Sequence, residues 1–402
     1  MKVYILTPEA FPNGMAATGR IKCYARAIHE AGADCEIWIY HRTEVYGKKP
    51  KNTVGNGLFE GIGYHYIGGT PLRGSNVFIR RFNDWRDKRN MIAHLDRNLN
   101  PNDCILFYGG QDVEFTMRVI KVAHKHGAFY TRDLCELPYG TGVETLSAIR
   151  KRKYTLERQF PQLDGVIAIS DTLATLARSY TRKDCKIVKV PIMVDFEQYR
   201  LEDTSQQEKV PYIFHSGTLY EQKDGFVGML EAFGKAKQKL NSPLKFISTG
   251  HVEGSRHEHE IIRVINQYHI ENDVMFTGYL SNDELKAKLQ GAALVIINKY
   301  KTQQNHYCFS TKLGEYLAAA KPVIITRVGE AMNWLTDGKD CIIVEPEDNN
   351  ALADAIVEAV SQLATMRNIG KNGQSMCRHA FDYRNYGKVL VDFFTSLSNK
   401  TK

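Results

Sequence analysis

Read from its first residue, the chain runs through the apolar stretch MKVYILTP and the loop FPNGMAATG. It continues with RIKCYARAIHEAG, whose apolar positions recur every three or four residues, and the apolar stretch ADCEIWIY. Short apolar runs predict strands buried on both faces, and the intervening period predicts an amphipathic helix closed by glycine. NDCILFYGG, AFYTRDL and LDGVIAIS read as further strands, with the helical patterns TMRVIKVAHKHG and DTLATLARSYT between them. Such alternation implies a parallel sheet with helices on both faces.

The pattern breaks at the polar stretch YRLEDTSQQEK, residues 199–209, the best linker in the chain, and then restarts. VPYIFHSGT, PLKFISTG, DVMFTGYL, ALVIIN, KPVIITRVG and CIIVEP read as strands, separated by helices such as DGFVGMLEAFGKAKQKL and NNALADAIVEAVSQLA. The expected organisation is an α/β chain with one doubly wound domain over residues 1–200 and a second over 201–380. A terminal helical segment, 381–402, is expected to pack back on the first. A length of 402 residues suits two such domains.

Composition changes this picture little: 43% apolar and 24% charged residues are ordinary for a soluble globular protein. The eight cysteines include no C-x-x-C pair and no zinc spacing, so a reduced, cytoplasmic location is the simplest reading. The apolar stretch at the N-terminus is too short for a signal peptide, and no run is long enough to span a bilayer.

Charge is uneven. Residues 1–200 carry 30 Lys and Arg against 21 Asp and Glu, a balance of +9, while residues 201–402 carry 23 against 24, a balance of −1. A one-sided basic field favours an anionic partner such as a phospholipid surface, a lipid phosphate or nucleic acid, although it also serves plain solubility. In RGSNVFIRRFNDWRDKRNMIAHL, residues 73–95, Phe78, Phe82, Trp85 and Ile92 recur at helical spacing among Arg73, Arg80, Arg81, Arg86, Lys88 and Arg89. This is the pattern of a helix lying on an anionic membrane surface, and equally of an ordinary helix packed on the sheet by that same apolar stripe. No nucleic-acid-reading motif accompanies the charge, so nucleic acid is not an expected partner.

Open α/β sheets bind ligands at the carboxyl ends of their strands. In the second half those positions are Ser216, Gly217 and Thr218 with Lys223, then Gly250, Gly278, Tyr279, Asn298 and the segment 305–315. Within FSTKLGEYLAAAKPVIIT, residues 309–326, Ser310 or Thr311 can cap a helix that Pro322 ends. A capping box would need Glu or Gln at 313 or 314, which are Leu and Gly, so Glu315 is not a capping carboxylate. The free amides of the first turn together with Lys312 suit a diphosphate without a metal, and Glu315, about a turn further on, suits the vicinal hydroxyls of a ribose. A nucleotide is the reading that joins them; a purely structural helix start is the alternative.

This stretch resembles the nucleotide-sugar site of retaining glycosyltransferases of family four (glycosyl transferases group 1), in which a Glu opens a helix ending in a small residue, Lys or Thr, and Pro. HSGTLYEQKDGFVGMLEAF, residues 215–233, resembles the glycine-rich first strand of that family's donor domain, with Lys223 at the position of a diphosphate-binding lysine. FTGYLSNDELKAKLQGAALVIIN, residues 276–298, is similar to its nucleobase segment, and LDGVIAISDTLATLARSY and VKVPIMVDFEQY to the end of its acceptor domain.

The resemblance implies a GT-B architecture of two doubly wound Rossmann-like domains facing a cleft. It also implies a nucleotide-sugar donor, a lipid-linked or polysaccharide acceptor, retention of anomeric configuration, and action in the cytoplasm or at the inner membrane face. Two positions depart from the family's pattern, because its first Glu falls on Tyr307 and its Arg on Thr218. The donor sugar is then expected at Asn305, His306 or Tyr307.

Lys223 and Lys312 are the expected stabilisers of the leaving diphosphate. PNGMAATGR resembles the acceptor-side loop, giving Gly14, Thr18, Gly19 and Arg20. Arg132, Asp133 and Glu136 follow a strand, where they orient an acceptor hydroxyl or form lid ion pairs. No Asp-x-Asp or His/Asp cluster is present, so neither metal nor cofactor is expected. A donor-binding scaffold without turnover, and an epimerase or phosphorylase on the same fold, are the competing functions.

Overall fold

The computed structural model describes residues 1–110, 112–140, 144–199, 210–217 and 219–398. The linker expected at 199–209 therefore lies, beyond Tyr199, outside the described residues, as does Thr218. The chain divides into two compact units, residues 1–194 with 383–402, and residues 195–382.

The first unit holds β1 (Lys2–Thr7), β2 (Asp34–Ile39), β3 (Asn56–Phe59), β4 (Ile62–Tyr66), β5 (Cys104–Phe107), β6 (Phe129–Leu134), β7 (Gly165–Ala168) and β8 (Lys186–Lys189). They form one sheet in the order β3-β4-β2-β1-β5-β6-β7-β8. Every neighbouring pair is parallel except β3 with β4. The expectation of a purely parallel sheet is corrected here by an edge hairpin turning through Glu60 and Gly61, at φ 50° and 84°. Both turn residues sit in the left-handed region that two-residue hairpin turns require.

β5 and β7 are apolar and buried along their whole length, while β6 between them carries the buried Thr131, Arg132 and Asp133. Val3, Ile5, Ile37, Ile105, Leu106, Val166 and Ile167 are wholly buried. Each such side chain contributes about 1.5–3 kcal/mol relative to its exposed state. Helix Gly387–Ser398 returns to this unit and seats Leu390, Phe394 and Leu397 in its core. Gly387 allows the contact, since a Cβ there would lie 2.7 Å from the carbonyl oxygen of Ala27 on helix Ala16–Glu30.

The second unit holds β9 (Tyr212–His215), β10 (Lys245–Ser248), β11 (Val274–Phe276), β12 (Leu294–Ile297), β13 (Val323–Thr326) and β14 (Ile342–Val344). Their order is β11-β10-β9-β12-β13-β14, all parallel. Chain order reverses direction between β9 and β12, and a doubly wound sheet opens a crevice at such a switch point.

Candidate functional site

The second unit gathers charged and glycine residues beyond the carboxyl ends of β9 and β12. At the end of β9, Ser216 donates its N–H to the Tyr316 hydroxyl at 2.9 Å, and Gly217 donates its N–H to Thr249 Oγ1 at 2.9 Å. Lys312, in the first turn of helix Thr311–Ala318, reaches back over this turn. A Cβ at Gly217 would lie 2.7 Å from Lys312 Nζ, so a side chain there would displace the ammonium group from its place.

Lys312 Nζ donates to Asp224 Oδ1 at 3.0 Å. Lys299 Nζ approaches the same oxygen at 3.4 Å and donates to the carbonyl of Lys223 at 2.8 Å. Burial alone would raise the Asp224 carboxyl, but the ammonium groups of Lys312 and Lys299 outweigh it and hold it well below the usual carboxylate range. Two cations against one carboxylate leave this place net positive.

The helix adds to that field. Its N-cap, Ser310, makes no side-chain capping bond, and the first turn contains no acidic residue. Its unsatisfied amides therefore carry partial positive charge. His215 contributes none. Burial, reinforced by Lys312, lowers its imidazole to about 3, so it stays neutral, with Nδ1 3.0 Å from Ser248 Oγ.

Glu315 lies on the same helix, one turn beyond Thr311. Burial pushes its carboxyl up to about 7, while the Lys312 charge and a hydrogen bond with the Tyr199 hydroxyl pull it the other way. The arrangement is a fixed cationic cradle followed within one turn by a carboxyl that titrates near neutrality. A diphosphate suits the first and a pair of vicinal hydroxyls the second.

The structure brings Ser216, Gly217, Lys312 and the helix start at Ser310 and Thr311 together, with Glu315 next to them. It places other expected residues differently. Lys223 supplies a backbone carbonyl to Lys299. Gly250 donates its N–H to the carbonyl of Gly278 at 3.3 Å, both in the left-handed region, and this bridge presents the exposed Tyr279 beside His251. Asn305 is buried and props its loop, donating to the carbonyls of Tyr300 at 3.1 Å and Gln222 at 3.4 Å. His306 is exposed and Tyr307 half-buried, their ring centroids 5.2 Å apart. Asn298 braces the turn before helix Phe226–Lys239 by donating to the carbonyl of Gly225 at 2.8 Å.

Sequence reasoning missed Asp224 and Lys299. Lys299 directly follows the β12 run ALVIIN, and that position was the available signal.

In the first unit, Arg20 was expected to face the acceptor, and Asp133 to orient an acceptor hydroxyl or form a lid ion pair. They are instead buried against each other, with side chains 2% and 0% exposed and Arg20 Nη2 3.1 Å from Asp133 Oδ1. Tyr24 donates to the same carboxylate, and Arg20 also donates to the carbonyls of Pro191 at 2.7 Å and Val190 at 3.1 Å. Arg132 donates to Gln159 Oε1 at 2.6 Å and is likewise buried. Thr18 is turned inward, donating to the carbonyl of Ala10 at 2.6 Å, and Gly14 leaves it space. Gly19 is exposed on the first turn of helix Ala16–Glu30.

Glu136 remains exposed past β6. Beyond β1, Glu9 titrates above its usual range, through burial first and repulsion from Glu136 second, against the attraction of His41. Replacing Asp133 by alanine strands a buried guanidinium, so we expect a stability loss of about 3–5 kcal/mol in chemical denaturation. An unchanged denaturation midpoint with lost turnover would return Asp133 to the acceptor.

The molecule has the GT-B fold, two doubly wound α/β units, with a cationic cradle at the switch point of the second. Residues 199–376 match the family model of glycosyl transferases group 1. No curated protein sequence matches the chain significantly.

Among solved structures, sucrose-phosphate synthase from Thermosynechococcus elongatus superposes with a TM-score of 0.74 at 15% identity, covering 100% of both chains. HepE of Anabaena in complex with UDP gives 0.70 at 14%, covering 98% of this chain and 100% of the other. The UDP-forming α,α-trehalose-phosphate synthase from Burkholderia xenovorans, in complex with glucose-6-phosphate, gives 0.71 at 13%, covering 98% and 100%.

Proposed function

We propose that the protein is a glycosyltransferase that moves a sugar from a nucleoside-diphosphate donor to a lipid-linked or polysaccharide acceptor, with retention and without a metal ion. One observation carries the reading: Lys299 and Lys312 converge on Asp224 beside an uncapped helix start, one turn ahead of Glu315. Breaking a glycosyl-phosphate bond leaves negative charge on the diphosphate. Donors already fixed where that charge develops lower the barrier without reorganising. Glu315, when ionised, accepts hydrogen bonds from the two ribose hydroxyls and sets the donor's register along the helix. Asp224 acts as a positioning residue, holding both ammonium groups in place.

Because a structurally similar protein is known in complex with UDP and UDP-glucose, uridine donors are the first to try. The test is release of nucleoside diphosphate from a panel of sugar nucleotides, with and without chelator, by the wild type and by Lys312→Ala. We expect chelator-insensitive release that the substitution removes. Tyr307, standing where the family has a Glu, motivates a second reading as a donor-binding scaffold. Nucleoside-diphosphate binding without turnover of any donor would establish that reading instead.

A further inference from the structure

Helix Val77–Asn98 packs on the first unit in an unexpected register. Its buried residues are Asn83, Asp87, Met91 and Leu95, a line at every fourth position. The apolar stripe that was a candidate for that packing points away from it. Phe78 is 82% exposed, Phe82 57% and Trp85 54%, with Val77 and Ile79 also open to solvent. The carboxylate on the inner line is paired. Asp87 accepts from Arg42 at 2.8 Å and pairs with Arg86 at 3.3 Å.

The outward face is cationic as well as apolar. The Arg86 guanidinium lies 6.0 Å from the Phe82 ring centroid and that of Arg89 lies 5.6 Å from Trp85. Beside the start of the helix is a pocket of 140 Å³ lined in part by His41, Arg42, Arg73, Arg80, Asp84 and Asp87. Its acids already have partners, Asp87 in Arg42 and Arg86, and Asp84 in Lys88 at 2.8 Å, which it shares with Asp112, and in the His41 ring nitrogen at 2.9 Å. Arg73 and Arg80 have no carboxylate partner among the described residues. Their guanidinium groups donate to backbone carbonyls, Arg73 Nε to Arg42 at 2.8 Å and Arg80 Nε to Asn76 at 3.3 Å. An anion of phosphate type suits the fork they leave open.

The apolar and cationic surface continues into a neighbouring loop. Arg73 donates its N–H to the carbonyl of Glu44 at 2.9 Å, which ties the segment before the helix to the start of a loop that exposes Val45, Tyr46, Lys48 and Lys49.

We propose that this face docks the protein on an anionic phospholipid bilayer, with Phe78, Phe82 and Trp85 in the head-group region and a lipid phosphate held between Arg73 and Arg80. Contiguous aliphatic and aromatic side chains ringed by unpaired arginines match an interface that is apolar below and anionic above. A nucleic-acid surface has use for the arginines and the rings but none for Val77 and Ile79 standing in water. The docking is independent of sugar transfer, so its failure leaves the donor site's reading untouched.

The test uses the full chain with vesicles of phosphatidylcholine alone or mixed with phosphatidylglycerol, read by co-sedimentation and tryptophan emission. Wild type is expected on the anionic vesicles, with a blue-shifted emission that Trp85→Phe removes. Arg73→Ala with Arg80→Ala should weaken partitioning about twenty-five-fold, about fivefold per arginine, and flatten its salt dependence. Phe78→Ser with Phe82→Ser should abolish the blue shift while leaving a salt-sensitive residue of binding. All these side chains are at or near the surface, and an unchanged circular-dichroism spectrum and thermal melting midpoint certify the folding of each variant. Equal binding by wild type and both double variants, or absence from anionic vesicles at low salt, overturns the proposal. So does tighter binding to a DNA duplex than to vesicles.

Discussion

Replacing Lys312 by alanine is expected to lower the rate of donor cleavage a hundredfold or more, the usual cost of removing one preorganised group from a developing anion. The effect should fall on kcat as well as on donor affinity, because the ammonium group faces charge that grows as the glycosyl bond breaks. The structure adds a condition. Lys312 shares Asp224 with Lys299, so its loss leaves that carboxylate to hold Lys299 without it and removes one positive charge from the proposed diphosphate subsite. Lys312→Arg should rescue poorly, since a planar guanidinium does not reproduce the compact ammonium group that meets Asp224 Oδ1 at 3.0 Å. Steady-state kinetics with the preferred donor check both. Full activity in Lys312→Ala would remove the lysine from the mechanism.

The second large effect is a pH dependence set by Glu315. Its carboxyl titrates at about 7 because burial outweighs Lys312 and Tyr199, and only the ionised form offers both oxygens to two hydroxyl donors. Donor affinity should therefore rise with pH through about 7 and fall about tenfold from pH 8 to pH 6, the ratio of ionised fractions for a group titrating there. UDP-glucose suits the measurement, because its diphosphate is a diester that does not titrate in this range. Glu315→Gln should bind weakly and show no slope.

The stability of the ligand-free protein carries the opposite sign. A carboxyl whose folded pKa lies above its unfolded value stabilises the fold at low pH and loses that contribution as pH rises through 7. Calorimetric titration and thermal melting from pH 6 to 8, run side by side, test the pair. A flat affinity profile would mean that Glu315 does not meet the ribose.

Much of the fold was legible because buried parallel strands announce themselves as apolar runs. β1, β5, β7, β9, β12 and β13 are such runs in the sequence. The hairpin β3–β4 was not singled out, since Gly57, Gly61 and Gly63 dilute its apolar pattern and its turn, Glu60-Gly61, lacks the Asn-Gly signature. β8, the edge strand KIVK, carries lysine at both ends and is only partly covered.

The site was legible as far as position following a strand can show it, which located Ser216, Gly217, Lys312 and Glu315. Who neutralises whom was not, because the deciding contacts are distant in sequence. Asp224 meets Lys299 and Lys312 across 75 and 88 residues, and Arg20 meets Asp133 across 113. The register of helix Val77–Asn98 was hidden for the same reason. An aspartate makes a poor inward residue until Arg42, contributed from outside the helix, satisfies it.

The chain leaves the first unit after Val194 and re-enters it at Tyr383, and the N–H of Tyr383 donates to the carbonyl of Val194 at 3.1 Å. Topologically, the second unit is thus a cassette spliced into the first, with its entry and exit points in contact. A direct peptide link from residue 194 to residue 383 would close the remaining piece into a continuous polypeptide that keeps its own last helix. An excision that stopped at 194 would instead deprive that piece of Leu390, Phe394 and Leu397, leaving an apolar trench where a wall had stood.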